Sequence, residues 1–364
     1  MNKPQSLLEE APAASVGKKN DNDDEQKAFQ LQLAQESFDN GIHFWGDEEF
    51  DLALSEFARA LDIREDIHGK YNEDVAKSYL WVGSVYWHKE LYEMALDNFV
   101  RSFRIKFSLT GDKDKCGIVT NWISKVLDAK KITDKDGFWK KLMGAIEHEQ
   151  KGDELMDIGK LDQAIFAFRS AAQLELRRCN MRETSLSRPL SDVADLEMKL
   201  AKAYLSQDMF EKALVEYRKA ISAYVIKFGR YHCHTKRAFA ELSESMISSG
   251  WSLQNVDQYL GSLHTSILHE QSAEMHTELK DFDGALREYQ ACLKFEEASA
   301  GRMQLPSANL HTKVGKIFVM KGQRDNALKS FCKALGIYDS ILGGNHRDTT
   351  KTIKRIGDLF ATKK

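Results

Sequence analysis

The sequence is poor in the residues that interrupt helices. It has four prolines in 364 residues, while Ala, Leu, Glu and Lys are abundant, a balance that favours helix throughout. No run of about 18 apolar residues occurs, so no membrane-spanning helix is expected. The N-terminal stretch from Met1 to Glu10 has no apolar core segment and carries early acids, unlike a secretory or transit leader. An excess of positive charge is also missing: 52 basic against 55 acidic residues leave a formal net charge of -3. That balance argues against a nucleic-acid partner, which needs a basic face for the phosphates. The five cysteines (Cys116, Cys179, Cys233, Cys292, Cys332) are scattered, odd in number and without a C-x-x-C pair. Reduced thiols and a cytoplasmic location are expected from this usage.

Signatures of catalysis and of cofactor or metal binding are lacking as well. Neither G-x-x-x-x-G-K-[ST] nor G-x-G-x-x-G occurs, so no nucleotide cofactor is expected. His232-Cys233-His234 lacks a second ligand pair nearby in the chain and reads as loop. Asp21-Asn22-Asp23-Asp24-Glu25 lacks the glycine and terminal Glu of a calcium loop. The expectation is a protein that is not an enzyme and holds no metal.

What the chain does contain is repetition. The skeleton of Phe50 to Leu61, aromatic-x-x-Ala-Leu-x-x-Phe-x-x-Ala-Leu, returns at Tyr92 to Phe103, Leu161 to Ala172, Phe210 to Ile221, Phe282 to Leu293 and Arg324 to Leu335. Each copy has an anchor alanine: Ala53, Ala95, Ala164, Ala213, Ala285 and Ala327. Twelve residues before each anchor stands a small residue (Gly41, Gly83, Gly152, Ala201, Ala273, Gly315). Four residues after it stands an aromatic (Phe57, Phe99, Phe168, Tyr217, Tyr289, Phe331). Small residues let two antiparallel helices approach, and large ones fill the space beside the contact. The spacing predicts a helix-turn-helix unit repeated along the chain.

On these columns the chain resembles the tetratricopeptide repeat (TPR) family, as in Val82-Gly83-x-x-Tyr86 followed by Ala95-x-x-x-Phe99. The resemblance implies an all-α, right-handed superhelical solenoid of helix pairs. Its clear units are expected at about 34–74, 75–112, 138–180, 192–234, 264–307 and 308–348. A degenerate pair is expected at 235–263, a capping helix at 349–362 and a disordered tail at 1–27. Two anchor intervals, Ala53 to Ala95 and Ala285 to Ala327, are 42 residues. With the Gly-x-x-His-x-x-Thr loops at Gly229 and Gly343, this spacing resembles the kinesin light chain type of the repeat.

The resemblance also implies a site. In the family, groove positions fall 18, 15, 11 and 8 residues before the anchor. Here they are Gln35, Phe38, Ile42 and Trp45, then Lys77, Leu80, Ser84 and Trp87. Later units place Glu149, Asp153 and Asp195, and finally Asn309, Thr312 and Lys316, at equivalent positions. Phe38 and Ile42 occupy the places of the Lys and Asn of a chaperone carboxylate clamp, so no such clamp is expected. Two readings of the tryptophans stay open: an apolar strip that takes a peptide, or packing against neighbouring helices. The implied function is a protein-protein interaction scaffold or cargo adaptor with a protein or peptide partner. The alternative is a structural subunit of a larger assembly. No small-molecule ligand is expected, and the oligomeric state is left open.

Overall fold

The computed structural model describes residues 20–179, 191–230, 232–298 and 304–361. Every regular element among them is helical, and no strand occurs among the described residues. The chain divides into two compact units at Lys135. The N-terminal unit contains α1 (Asn20–Gly46), α2 (Phe50–His68), α3 (Glu73–His88), α4 (Tyr92–Thr110) and α5 (Gly117–Ala129). The C-terminal unit contains α6 (Lys135–Asp157), α7 (Leu161–Cys179), α8 (Ser191–Leu205), α9 (Phe210–Phe228) and α10 (Cys233–Ser248). It continues with α11 (Leu253–Glu278), α12 (Phe282–Ala298), α13 (Gln304–Met320), α14 (Arg324–Leu342) and α15 (Arg347–Ala361).

The repeated columns meet as their chemistry requires. A Cβ built on Gly41 would lie 2.7 Å from the Phe57 ring, one on Gly83 2.7 Å from Phe99, and one on Gly315 2.5 Å from Phe331. Gly152 faces Phe168 more closely still. Each pairing joins a first helix to its second helix, and all four rings are essentially without solvent contact. Where the small residue is alanine instead (Ala201, Ala273), the aromatic is tyrosine (Tyr217, Tyr289), and all four are buried.

The turn inside each helix pair is uniform. The residue five before the anchor has positive φ in all six copies: Glu48, Glu90, Gly159, Asp208, Lys280 and Gly322. Lys131 and Gly250 share that conformation after α5 and α10. Across these turns the next N–H reaches back to a carbonyl near the end of the preceding helix, as from Leu91 to Tyr86 (2.9 Å) and from Gln323 to Phe318 (2.8 Å). This is the Schellman stop, which satisfies carbonyls the helix end would leave open. The left-handed region costs a non-glycine residue about 1–2 kcal/mol. Lys280, exposed at φ +60, therefore offers a gain. Lys280→Gly is expected to stabilise the protein by about 0.5–1 kcal/mol after the added freedom of the unfolded chain is subtracted. A lower urea midpoint for the variant would overturn this account of the turn.

The links between pairs have their own chemistry. Second helices stop at glycines with positive φ (Gly69, Gly111, Gly229, Gly343). Asn72 Oδ1 then accepts the Asp74 N–H at 2.7 Å. His232 Nδ1 and His346 Nδ1 do the same for His234 and Asp348, at 3.3 and 3.2 Å. The loop threonines tie back to the glycine carbonyls, Thr235 to Gly229 at 2.8 Å and Thr349 to Gly343 at 2.9 Å. The Gly-x-x-His-x-x-Thr loops are thus a helix stop followed by an N-cap. Adjacent pairs are also stitched at the surface: Asp51 to Lys89, Glu93 to Lys130, Asp162 to Gln207 and Asp283 to Lys321. Partly exposed pairs of this kind contribute little energy, but their recurrence marks a constant register.

The structure differs from the sequence expectation in two places. Helix α1 begins at Asn20, so residues 20–27 are not part of a disordered tail; acidic residues such as Asp24 and Glu25 suit a helix N-terminus. Residues 253–263 and the following first helix form the single helix α11, because no Gly-Schellman stop or proline interrupts Ser262-Leu263-His264. Helix α10 pairs with the early part of α11, and α12 packs along α11 as well. The tail before residue 20 lies outside the described residues.

Candidate functional site

The expected groove residues lie on α1 and α3 of the N-terminal unit. Phe38 is 8% exposed and belongs to the core. Its ring meets Phe57 edge-on at 5.4 Å, and the Arg64 guanidinium sits over it at 4.3 Å. Arg64 in turn donates to Ser78 Oγ (2.8 Å) and Gln35 Oε1 (2.9 Å). Ile42, by contrast, is 37% exposed. Lys77 is exposed and faces its own helix's acids, Asp74 at 3.3 Å and Glu73 at 3.6 Å. Leu80 is half-buried, and Ser84 is buried with its hydroxyl donating to the Leu80 carbonyl at 3.0 Å.

The two tryptophans are both half-buried and similarly held. Trp45 meets Trp81 edge-on at 5.3 Å, and Trp81 stacks on Phe57 at 5.5 Å. Trp87 meets Trp122 edge-on at 5.9 Å, and Trp122 stacks on Phe99 at 5.4 Å. The same three-ring arrangement therefore occurs twice in successive helices. His88 also packs on Trp45 (5.5 Å) and stacks on Phe50 (5.4 Å). Trp81 and Trp122 were missed as a pair because they belong to no column counted from the six anchors. Helix α5 has no anchor alanine behind it, and only its turn at Lys131 reveals that it is a first-helix equivalent.

Elsewhere the groove positions are used within the fold. A polar residue eleven after the anchor, on the second helix, reaches the position eighteen before it on the first. Arg64 bonds Gln35, Tyr224 donates to Asp195 at 2.6 Å, and Tyr338 donates to Asn309 at 2.6 Å. Lys199 of α8 sits between Glu149 (2.9 Å) and Asp153 (2.5 Å), so those acids are neutralised internally. His234 is buried against Tyr224 (5.5 Å), and His232 stacks on Phe228 (4.3 Å). Among the described residues no group of three His, Cys, Asp or Glu is placed to hold a metal.

These turns, Gly–Phe contacts and cross-links recur from pair to pair. The chain is built of TPR-like helix pairs. No family model matches the sequence, and no curated protein matches it. Among solved structures it is similar to the TPR domain of P58(IPK), with 14% identity over 91% of this chain and 99% of that one, at a TM-score of 0.20. The repeat rests on the geometry of the pairs themselves. No helix among the described residues is long and apolar enough to cross a membrane.

Proposed function

We propose that the chain is a protein-interaction scaffold of the adaptor kind, which takes an extended peptide segment along α1 and α3. The segment would cross Ile42, Leu80 and the open sides of Trp45 and Trp87, with Lys77 meeting an acidic residue of the partner. The observation that carries this reading is the pair of half-exposed tryptophans, set at equivalent stations of consecutive helix pairs. Each is braced from behind by a second tryptophan. Rigid aromatic anchors lose little entropy on binding and are enriched among residues that dominate interfaces. Packing and binding are compatible here: each ring is held by its neighbours and is still only half-buried.

Replacing the tryptophans themselves would confound binding with stability, because both rest on neighbouring rings. The exposed pair Ile42 and Lys77 gives a cleaner test. Wild-type protein is used to select peptides from a random display library, and the selected peptides are titrated against Ile42→Glu/Lys77→Glu. At least a tenfold loss of affinity is expected, with helicity and Tm unchanged within about 2 °C. Undiminished binding by that variant would remove the site from α1 and α3. The likeness to the kinesin light chain repeat type supports a cargo adaptor through its capping loops. A second reading, a fixed subunit of a larger assembly, is favoured by the exposed Ile158 and Phe166 near the α6–α7 turn. Sedimentation separates the two, since an adaptor remains monomeric as concentration rises.

A further inference from the structure

The C-terminal unit holds a cleft of about 650 Å³, within the size range of small-ligand sites. Helices α7, α8, α9, α11, α13, α14 and α15 all contribute side chains to its lining. Val215 of α9, which lines it, packs against a cluster that includes Leu305 of α13 and Tyr338 of α14.

Charge in this cleft is matched on one side only. Glu270 and Glu274 both take the Lys313 ammonium, at 2.7 and 2.6 Å, and Glu216 takes Lys219 at 2.9 Å. Burial pushes the Glu197 carboxyl up to about 8, with Lys219 opposing and Glu216 adding to the shift. The cations Lys316 on α13 and Lys351 and Arg355 on α15 have no hydrogen bond or ion pair among the described residues. Lys351 and Arg355 are one turn apart and share a helix face. Burial, followed by Arg355, Lys313 and Lys351, holds the Lys316 ammonium below the usual lysine value. Like charges are thus gathered around Lys316, with the Asp348 carboxylate also lining the cleft. Gln271 Nε2, which also lines the cleft, is buried without a hydrogen-bond partner, an arrangement that folded proteins generally avoid.

We propose that the cleft binds a small phosphate monoester with an apolar or aromatic body, its phosphate held by Lys316, Lys351 and Arg355. A phosphate has three terminal oxygens for three cations, and the guanidinium fork of arginine matches that geometry. The apolar side chains of Val215, Leu305 and Pro306 would receive the body. A cleft of this volume favours a compact ligand. This reading goes beyond the peptide surface on α1 and α3 and uses none of its residues.

The test is calorimetric titration of the full chain with 1-naphthyl phosphate, beside inorganic phosphate, 1-naphthol and an acidic octapeptide of alternating Glu and Asp. The ester is expected to bind at least tenfold tighter than either of its halves, and to weaken as salt rises. Lys351→Gln/Arg355→Gln should lose at least tenfold in affinity for the ester. Without ligand, the same variant should melt at an equal or higher temperature, because repulsion around Lys316 is relieved. Ile42→Glu/Lys77→Glu should bind the ester as wild type does, so the two proposals stand or fall apart. Ester binding no tighter than inorganic phosphate would reduce the site to an adventitious ion only. Octapeptide binding tighter than the ester would make the cleft a peptide site, and no binding by any probe at 1 mM would overturn the proposal outright.

Discussion

Arg178→Met is expected to destabilise the C-terminal unit by about 3–5 kcal/mol, the range for removing one partner of a buried ion pair. The guanidinium is completely buried on α7. Its Nε and Nη2 meet the same Glu175 oxygen, at 2.7 and 2.6 Å. Asp192 at the start of α8 lies 3.7 Å away, and the Phe138 ring of α6 lies beneath at 5.4 Å. Arg178 thus touches three helices of the unit from one point. Burial lowers the guanidinium pKa, but Glu175 and Asp192 outweigh it and hold the group charged. Methionine fills a similar volume and supplies no charge, so Glu175 and Asp192 would lose the cation that contacts them. Urea unfolding at pH 7 measures the loss as a lower midpoint at unchanged slope. Arg178→Met/Glu175→Leu should recover most of it, because an apolar pair of matched volume is about neutral relative to a buried ion pair. A single variant within 1 kcal/mol of wild type would mean that other groups satisfy Glu175.

The fold was legible wherever packing selects a residue type. Anchor alanines, the small residues opposite them and the rings between them are fixed by volume, and volume is written directly in side-chain identity. The left-handed turn five before the anchor was not legible. Glu48, Glu90, Asp208 and Lys280 occupy it as readily as Gly159 and Gly322, because the Schellman stop imposes the conformation through the backbone. The second-helix polar position was hidden for a related reason. Arg64, Tyr224 and Tyr338 serve one purpose with different chemistry, so no common letter marks them. At the candidate site the sequence gave Phe38 and Ile42 the same standing as groove positions, whereas Ile42 is 37% exposed and Phe38 8%. Phe38 is buried because Arg64 covers it, a contact between residues far apart in the chain. The cleft of the C-terminal unit was beyond the sequence for the same reason. Lys316, Lys351 and Arg355 are ordinary surface cations in the text, and only the pairing of their neighbours leaves them over.

Phe168→Ala is the second large effect, at about 3–5 kcal/mol for a buried ring truncated in a packed core. Phe168 is 1% exposed and lies against Gly152, in a core shared by α6, α7, α8 and α9. The informative measurement is its coupling to Gly152. Gly152→Ala alone adds a methyl where the Phe168 ring already sits, and overpacking of this kind costs about 1–3 kcal/mol. Only about 1 kcal/mol returns from the better helix propensity of alanine. In the Phe168→Ala background that clash is gone, so Gly152→Ala should stabilise by about 1 kcal/mol. Its sign therefore reverses between the two backgrounds. A double-mutant cycle followed by urea unfolding would show a coupling well above the 0.3–0.5 kcal/mol scatter of independent sites. Simple additivity would mean that the glycine column exists for some purpose other than the approach of these helices. Reversal would show that Gly152 and Phe168 act as one unit, and would extend that reading to Gly41 with Phe57, Gly83 with Phe99 and Gly315 with Phe331. Because each repeat contacts chiefly its neighbours, the loss should fall first on α6 through α9 and leave the N-terminal unit folded at urea concentrations that open this core.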